Sequence, residues 1–377
     1  MRVCFFGTYD PSYPRNIVLR KGLQKNGVEV IECNVSLPQI KISREGKLGL
    51  AEFIVKRSLV FSKCYTKLFF KFLRGGRKCD SIIVPFEWEY DVFLAWFFAK
   101  LFGKKLVFDI FNSKYATLVL ESRVFPEKSF SAEWNLWKDR LSFALSDKVL
   151  VQTKTHADSL SKTLRLSKEK MRVLYLGAEE EKFFPRPAKK SKNFNVLFFG
   201  SFIPLQGLEY IIGAAEKLKN EKDIRFKLLG KGLLFNEVKA MAEQKSLANV
   251  EFEGWVPEEN LPEEIASADI CLGQFGKTER ANIFIGHKIF QSIAMKKPVI
   301  NADTPAAREF FKENESIVFC KGGNASSLAQ KILFLKSNPP LRRSISSNAF
   351  RVFRQNFTAE KIGFELKKII EETKPNK

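Results

Sequence analysis

The residues best suited to chemistry lie in one stretch, CLGQFGKTERANIFIGHKIFQSIAMKKPVINADTPAAREFF, from Cys271 to Phe311. Arg280, Gly286 and Lys288 surround the predicted start of a helix running from about Gly286 to Met295. A helix N-terminus carries unpaired backbone N–H groups and partial positive charge, so these residues form a candidate cradle for a phosphate or diphosphate. Lys288 and Gln291, three apart, share a face predicted to look outward, while Ile289 and Ile293 share the packing face with Phe290 and Ala294 beside them. Gln291, one turn further in, is placed to hydrogen-bond a ribose hydroxyl. Buried strands at Ile270–Leu272 and Pro298–Asn301 flank the helix. The same pattern also fits an ordinary αβ unit of a parallel sheet with incidental basic residues.

The elements that must position this segment alternate along the whole chain. Arg2–Gly7 reads as a strand, followed by TYDPSYPRN, a helix from about Ile17 to Lys25, a Gly27 cap and the strand VEVIEC, which together make βαβ. Ligands in open α/β sheets sit at the carboxyl ends of strands, which places Gly7, Thr8, Tyr9 and Arg15 at the lip of a cleft. Arg15 also reads as a solvated arginine at a helix start. No G-x-G-x-x-G is present. Ser81–Pro85 is a further strand, and its loop carries Glu87, Glu89 and Asp91. Lys105–Ile110 ends at Asp109, which either holds or deprotonates an acceptor hydroxyl or caps the next loop. The run RPAKKSKN after Pro185 reads as a linker. A second βα series begins at Phe194, and Gly200 and Gly207 in its first loop let the backbone approach a phosphate or sugar closely. Trp255 reads as a core or rim aromatic. The tail, Arg351 to Glu372, is predicted as one long amphipathic helix.

With 377 residues, 45% of them hydrophobic, the chain suits two globular domains, and no apolar run reaches the roughly 18 residues of a membrane span. The start MRVCFFGTYD enters a strand directly and shows no secretory signal. Six cysteines lack metal-like spacing and read as buried free thiols, and two histidines leave little for a metal site. A formal charge of +21 asks for a polyanionic neighbour: a nucleotide diphosphate, an anionic lipid surface or nucleic acid. From Ala51 to Arg74 basic and apolar residues interleave, as in a helix lying on an anionic bilayer or in a domain helix with solvated lysines. No aromatic–basic platform for nucleic acid is apparent.

FFGTYDPSYPRN, FFGSFIPLQGLEYII, KIFQSIAMKKPVI and DTPAARE occur here in an order and spacing that resembles the family-4 retaining glycosyltransferases of the GT-B fold, over nearly the whole chain. The resemblance implies an α/β fold of GT-B type, with two Rossmann-like βαβ domains facing across a cleft. Residues 1–185 would form the acceptor domain and 186–350 the nucleotide-sugar donor domain, with 351–377 a C-terminal helix packing back on the first. It implies transfer of a hexose from a nucleoside diphosphate sugar to a saccharide or lipid-linked acceptor hydroxyl, with retention, in cell-surface glycan or glycolipid synthesis. No metal or other cofactor and no nucleic acid partner is expected, and the setting is cytoplasmic or peripheral on the inner face of a membrane. Arg280, Lys288 and Asp109 become the catalytic candidates, and Gly200, Gly207, Trp255, Gly286, Gln291, Gly7 and Arg15 the binding candidates. The chain departs from the family at its two glutamates eight apart, whose positions hold Ile283 and Gln291, and at a loop arginine and lysine, replaced by Ser201 and Gln206. These losses keep open a non-catalytic protein binding membrane or ligand, and the shared frame keeps open a sugar-nucleotide epimerase.

Overall fold

The computed structural model describes residues 1–37, 48–86, 90–121, 123–187 and 191–373, with the side chains of 48–57 excepted. Glu87 and Glu89, the first part of the basic helix side chains through Arg57, and part of the run after Pro185 lie outside the described residues. The chain forms two compact units. One comprises Met1–Val151, Leu160–Leu174 and Gly363–Lys377, and the other comprises Gln152–Ser159 and Tyr175–Ile362. The division therefore falls at Leu174 rather than after Pro185, and residues 351–362 group with the second unit.

The first unit alternates strands and helices: β1 (Arg2–Gly7), α1 (Pro14–Lys25), β2 (Glu29–Asn34), α2 (Leu48–Arg74), β3 (Ser81–Val84), α3 (Tyr90–Phe102), β4 (Lys105–Asp109), α4 (Phe130–Leu145), β5 (Lys148–Val151), the later part of α5 (Lys154–Leu164) and β6 (Met171–Val173). The strands are parallel in the order β2-β1-β3-β4-β5-β6. Parallel strands covered on both faces are near-continuous apolar runs, and FFG, SIIV and KLVFD fit that demand. Phenylalanines fill the layer between sheet and helices: Phe72 of α2 stacks on Phe98 of α3 at 4.2 Å, and both meet Phe6 of β1. Pro14 opens α1 at a position whose N–H needs no helical partner.

The second unit adds β7 (Phe194–Phe199), α6 (Leu208–Lys217), β8 (Ile224–Leu229), α7 (Phe235–Gln244), β9 (Val250–Glu253), α8 (Leu261–Ser267), β10 (Ile270–Leu272), α9 (Glu279–Ile283), α10 (His287–Ala294), β11 (Val299–Ala302), α11 (Pro305–Arg308), β12 (Val318–Cys320), α12 (Ala325–Ser337) and α13 (Pro339–Asn356). Its parallel order is β12-β11-β10-β7-β8-β9. In each sheet the chain reverses its direction of winding once, between β1 and β3 in the first and between β7 and β10 in the second. Ligands of open α/β sheets bind outside the carboxyl ends of strands at such a switch point.

The tail is two helices, not one. α13 stops at Asn356 and α14 (Ala359–Glu372) begins afresh. Phe357 is buried among Phe290, Phe310 and Phe311, its carbonyl accepts from Ala178 N at 3.1 Å, and Thr358 Oγ1 caps Lys361 N at 3.2 Å. Those partners fix Phe357 and Thr358 outside helical geometry. From Gly363 on, α14 belongs to the first unit. A Cβ on Gly363 would lie 2.0 Å from the Gly22 carbonyl carbon, so two glycines let α14 and α1 touch backbone to backbone. All six cysteines are free and buried, and among the described residues no helix is long and apolar enough to cross a membrane.

Candidate functional site

The second sheet's switch point is built from two loops. After β7 the chain runs through Gly200, Ser201 and Phe202 to Gly207, and after β10 through Gly273 to Lys277. Phe275 N donates to Gln206 O at 3.0 Å and Gly276 N to Leu205 O at 3.3 Å, so the loops are joined backbone to backbone. Gly207 makes this approach possible: its φ is +64°, and a Cβ there would stand 2.5 Å from Gly276 N. Gly200, at φ +141°, leaves open a space that a Cβ would fill 3.2 Å from Lys288 Nζ.

Lys288 enters that space from the first turn of α10. The face expected to look outward is in fact buried: Lys288 and Gln291 are each only 6% exposed. At Lys288 the reason is that the loops from β7 and β10 close over the side chain. Lys288 Nζ donates to Gln206 Oε1 at 2.5 Å, reaches Gly273 O at 3.5 Å and lies 3.7 Å above the Phe198 ring. Among the described residues no carboxylate pairs with it. Burial therefore pushes Lys288 well below the ordinary lysine range. An anion brought to Nζ would offset that desolvation, which is what the site can do chemically. Gly286 is the N-cap residue of α10, with φ −71° and no side chain to satisfy the first-turn N–H groups.

Three buried polar residues that sequence reasoning did not single out hold this frame. Gln274 Nε2 donates to Ala281 O at 2.9 Å and Phe284 O at 2.7 Å, tying α9 to the loop before α10. Its Oε1 faces Gly286 and is buried with no hydrogen-bond partner among the described residues. Asn301 Oδ1, at the end of β11, accepts from Gln274 N at 2.9 Å. Gln152 pairs with the backbone of Ile285 in both directions, accepting from Ile285 N at 2.9 Å and donating to Ile285 O at 3.2 Å. Each follows an apolar run, VLV, ICL or VI, at a strand's carboxyl end. That position was the readable signal.

Arg280 lies on α9, which Thr278 caps by accepting from Ala281 N at 3.2 Å, and its guanidinium stands 5.6 Å from the Phe284 ring. Ile283, in place of the family's first glutamate, ends α9 and accepts through its carbonyl from Thr153 Oγ1 at 2.8 Å. Trp255 is 67% exposed after β9. In the DTPAARE turn, Arg308 grips Asp303 with two hydrogen bonds of 2.5 and 2.7 Å. Glu309 accepts from Lys154 N and Thr155 N, at 2.9 and 2.7 Å, at the start of α5.

The candidates of the first unit are arranged differently. Arg15 and Asp109, placed by sequence at a cleft lip, are both fully buried. Arg15 Nε and Nη2 donate to the two Asp109 oxygens at 2.5 and 2.8 Å, and Nη1 to Leu174 O at 3.2 Å. Asp109 is thus an ion-pair partner that joins α1 to β4, rather than a carboxylate open to an acceptor. Gly7, at φ +142°, leaves room for Asp91, whose Oδ2 would lie 2.5 Å from a Cβ there. That carboxylate accepts from Thr8 N at 2.7 Å, Thr8 Oγ1 at 3.0 Å and Tyr65 OH at 2.7 Å.

Residues 179–352 match the family described as glycosyl transferases group 1. An uncharacterised glycosyltransferase of Methanocaldococcus jannaschii is 26% identical over 227 residues, 60% of this chain and 60% of that protein. The O-antigen chain mannosyltransferase C of Escherichia coli is 23% identical over 165 residues, 44% of this chain and 43% of that one. The chain thus spans about half the length of the curated relatives it matches. Among solved structures, sucrose-phosphate synthase from Thermosynechococcus elongatus has a TM-score of 0.74 at 16% identity, with 98% of each chain covered. Anabaena HepE, solved with UDP-glucose, has a TM-score of 0.71 at 16% identity, covering 98% of this chain and 99% of that one. At such identities the likeness is one of fold. The match to the group 1 glycosyl transferases covers residues 179–352, and the chain as a whole has the α/β fold of GT-B type.

Proposed function

We propose that the chain transfers a hexose from a nucleoside diphosphate sugar to an acceptor hydroxyl with retention of anomeric configuration, in the synthesis of a surface glycan or glycolipid. The observation that carries this reading is Lys288, a buried cation at the second sheet's switch point with no acidic partner among the described residues. The diphosphate lies on Lys288 and the open N-terminus of α10 at Gly286, with Arg280 supplying further charge. Gly200 and Gly207 let the backbone approach, Gln291 takes a ribose hydroxyl and Trp255 flanks the base. As the glycosidic bond loosens, negative charge gathers on the leaving diphosphate oxygen. Donors fixed on that oxygen stabilise the transition state more than the ground state. The acceptor oxygen bonds to the anomeric carbon on the face the diphosphate leaves, and its proton passes to the departing phosphate. No metal or other cofactor takes part in this scheme. The enzyme works in the cytoplasm at the inner face of a membrane.

Calorimetry of UDP, GDP, ADP and their hexose conjugates, on the wild type and on Lys288→Ala, tests the donor site. UDP-glucose leads the panel because HepE was solved with it. Selective binding of one diphosphate, lost in Lys288→Ala, is the expected outcome, followed by an α-linked product from an α-linked donor. Absence of binding across the panel would sink the transferase reading.

A further inference from the structure

The backbone between α9 and α10 is held by side chains that arrive from other parts of the chain. Gln274 Nε2 takes Ala281 O and Phe284 O, and Thr153 Oγ1 donates to Ile283 O at 2.8 Å. Gln152 engages Ile285 as a paired strand residue would, with Oε1 accepting from Ile285 N at 2.9 Å and Nε2 donating to Ile285 O at 3.2 Å. The donor and acceptor of Ile285 fix which way the Gln152 amide points, since a flipped amide would set like against like. His156 seats both side chains. Its Nδ1 accepts from Gln152 N at 3.2 Å, its N donates to Thr153 Oγ1 at 2.9 Å, and its ring lies 4.5 Å from that of Phe284. Gln152, Thr153 and His156 are all buried.

This grip falls just where α10 begins. α9, α11 and α12 open on Thr278, Thr304 and Asn324, whose side chains each accept from a first-turn N–H. Such a cap fixes the start of a helix, but it occupies the place an anion would take. Gly286 has no side chain to cap α10. The residue before it, Ile285, is fixed instead from behind, which leaves the first-turn N–H groups without a side-chain cap. Donors aimed at a ligand act best when they are held in place before it arrives, and the grip on Ile285 supplies that. We infer that Gln152 and Thr153 are positioning residues of the donor site: they hold Ile283 and Ile285 so that Gly286 and the first turn of α10 meet the diphosphate without rearranging. Both act through the loop backbone. Ile289, Phe290 and Ile293 anchor the body of α10 in the core by themselves, so the grip governs residues 283–286. The inference rests on the donor-site reading above.

Titration of the full chain with UDP, GDP and ADP, each beside its bare nucleoside, tests it on the wild type, Gln152→Met, Thr153→Val and Asn249→Ala. Gln152→Met keeps the length of the side chain and loses both bonds to Ile285. Affinity for the diphosphate that the wild type binds should fall about tenfold in Gln152→Met and about threefold in Thr153→Val, while affinity for the nucleoside changes by less than about twofold. Asn249 is the control. It is buried, its Nδ2 donates to Ala215 O at 2.9 Å, and it precedes β9 at the amino end of the sheet, away from the donor loops. Asn249→Ala should lower the unfolding temperature and leave both affinities unchanged. Thermal unfolding shows which variants are folded during the titration, and Thr153→Val carries the test if Gln152→Met does not fold. Equal losses for diphosphate and nucleoside, or a loss in Asn249→Ala as large as in Gln152→Met, would overturn the inference, because the effect would then be one of general stability. A wild type that binds no diphosphate removes the donor-site reading and this inference with it, whereas wild-type affinity that survives both substitutions overturns this inference alone.

Discussion

The two switch points of the molecule are framed alike and filled oppositely. In the first sheet the carboxyl ends of β1 and β4 are occupied by the protein's own charges: Arg15 closes on both oxygens of Asp109, and Asp91 collects three donors from Thr8 and Tyr65. In the second, Lys288 is buried too, and among the described residues it meets only an amide oxygen, a carbonyl and an aromatic face. A buried charge that is already paired serves structure; one that is solvated only by neutral dipoles is set for a ligand of opposite sign. The difference lies in which residue stands opposite, not in the fold around it.

The largest effect should come from unpairing the first switch point. Asp109→Ala leaves the Arg15 guanidinium buried without its counterion and should destabilise the protein by about 3–5 kcal/mol. The double variant Arg15→Met/Asp109→Leu removes both charges and should recover most of that loss. Denaturant unfolding of the three proteins measures it. If Asp109→Ala kept full stability and lost only turnover, the carboxylate would be catalytic after all and the contrast between the sheets would fail.

The second switch point should respond in the reverse sense. Lys288→Met removes a buried ammonium that has no acidic partner among the described residues, so the ligand-free protein should be as stable as the wild type or more so. Diphosphate binding, by contrast, should weaken by about 2–3 kcal/mol, the scale of a hydrogen bond to a charged group. Thermal unfolding with and without UDP reads both signs in one experiment. Equal loss of stability in the two states would make Lys288 a structural residue.

Much of this arrangement was legible in the chain and the remainder was not, for identifiable reasons. The βα alternation, the strand Ile270–Leu272 and the helix carrying Lys288 follow from apolar period and turn residues, which are local signals. The pairing of Arg15 with Asp109 joins residues 94 apart, and no local pattern announces such a partner. The outward face assigned to Lys288 and Gln291 failed because helical periodicity sorts polar from apolar and cannot tell water from a polar crevice. The break at Phe357 and Thr358 is likewise tertiary. Its amphipathic register continues across the break, and only the contacts with Ala178 and the phenylalanine cluster reveal it. Gln274, Asn301 and Gln152 carry no charge pattern, so their place after an apolar run is the one local signal of their role.

A single substitution should turn the second switch point into a likeness of the first. Gln206 Oε1 already receives Lys288 Nζ at 2.5 Å, so Gln206→Glu supplies an internal counterion with little change in shape. Ligand-free stability should rise by about 1–2 kcal/mol, while diphosphate affinity falls about tenfold or more through competition and repulsion. Calorimetry with UDP and denaturant unfolding separate the two. Tighter diphosphate binding in Gln206→Glu would show that Lys288 does not meet the phosphates.

The smallest effect is graded in pH. Burial pushes Lys288 well below its ordinary range, whereas in the unfolded chain a lysine titrates near about 10.4. Between those two values the unfolded chain holds more protons than the folded one, so the stability of the ligand-free protein rises as pH rises through that window. A bound diphosphate acts the other way. It stabilises the ammonium and raises its pKa, so binding takes up a proton wherever the free site has begun to deprotonate. Affinity then falls as pH rises, by no more than about tenfold per pH unit for one proton. A nucleoside diphosphate sugar lacks the terminal phosphate that ionises at about pH 6, so with that ligand the phosphate does not supply the proton dependence. Titrations in buffers of different ionisation enthalpy count the protons, and Lys288→Met should take up none. Uptake that persisted in that variant would place the titrating group elsewhere and would detach the buried lysine from the anion it is proposed to hold.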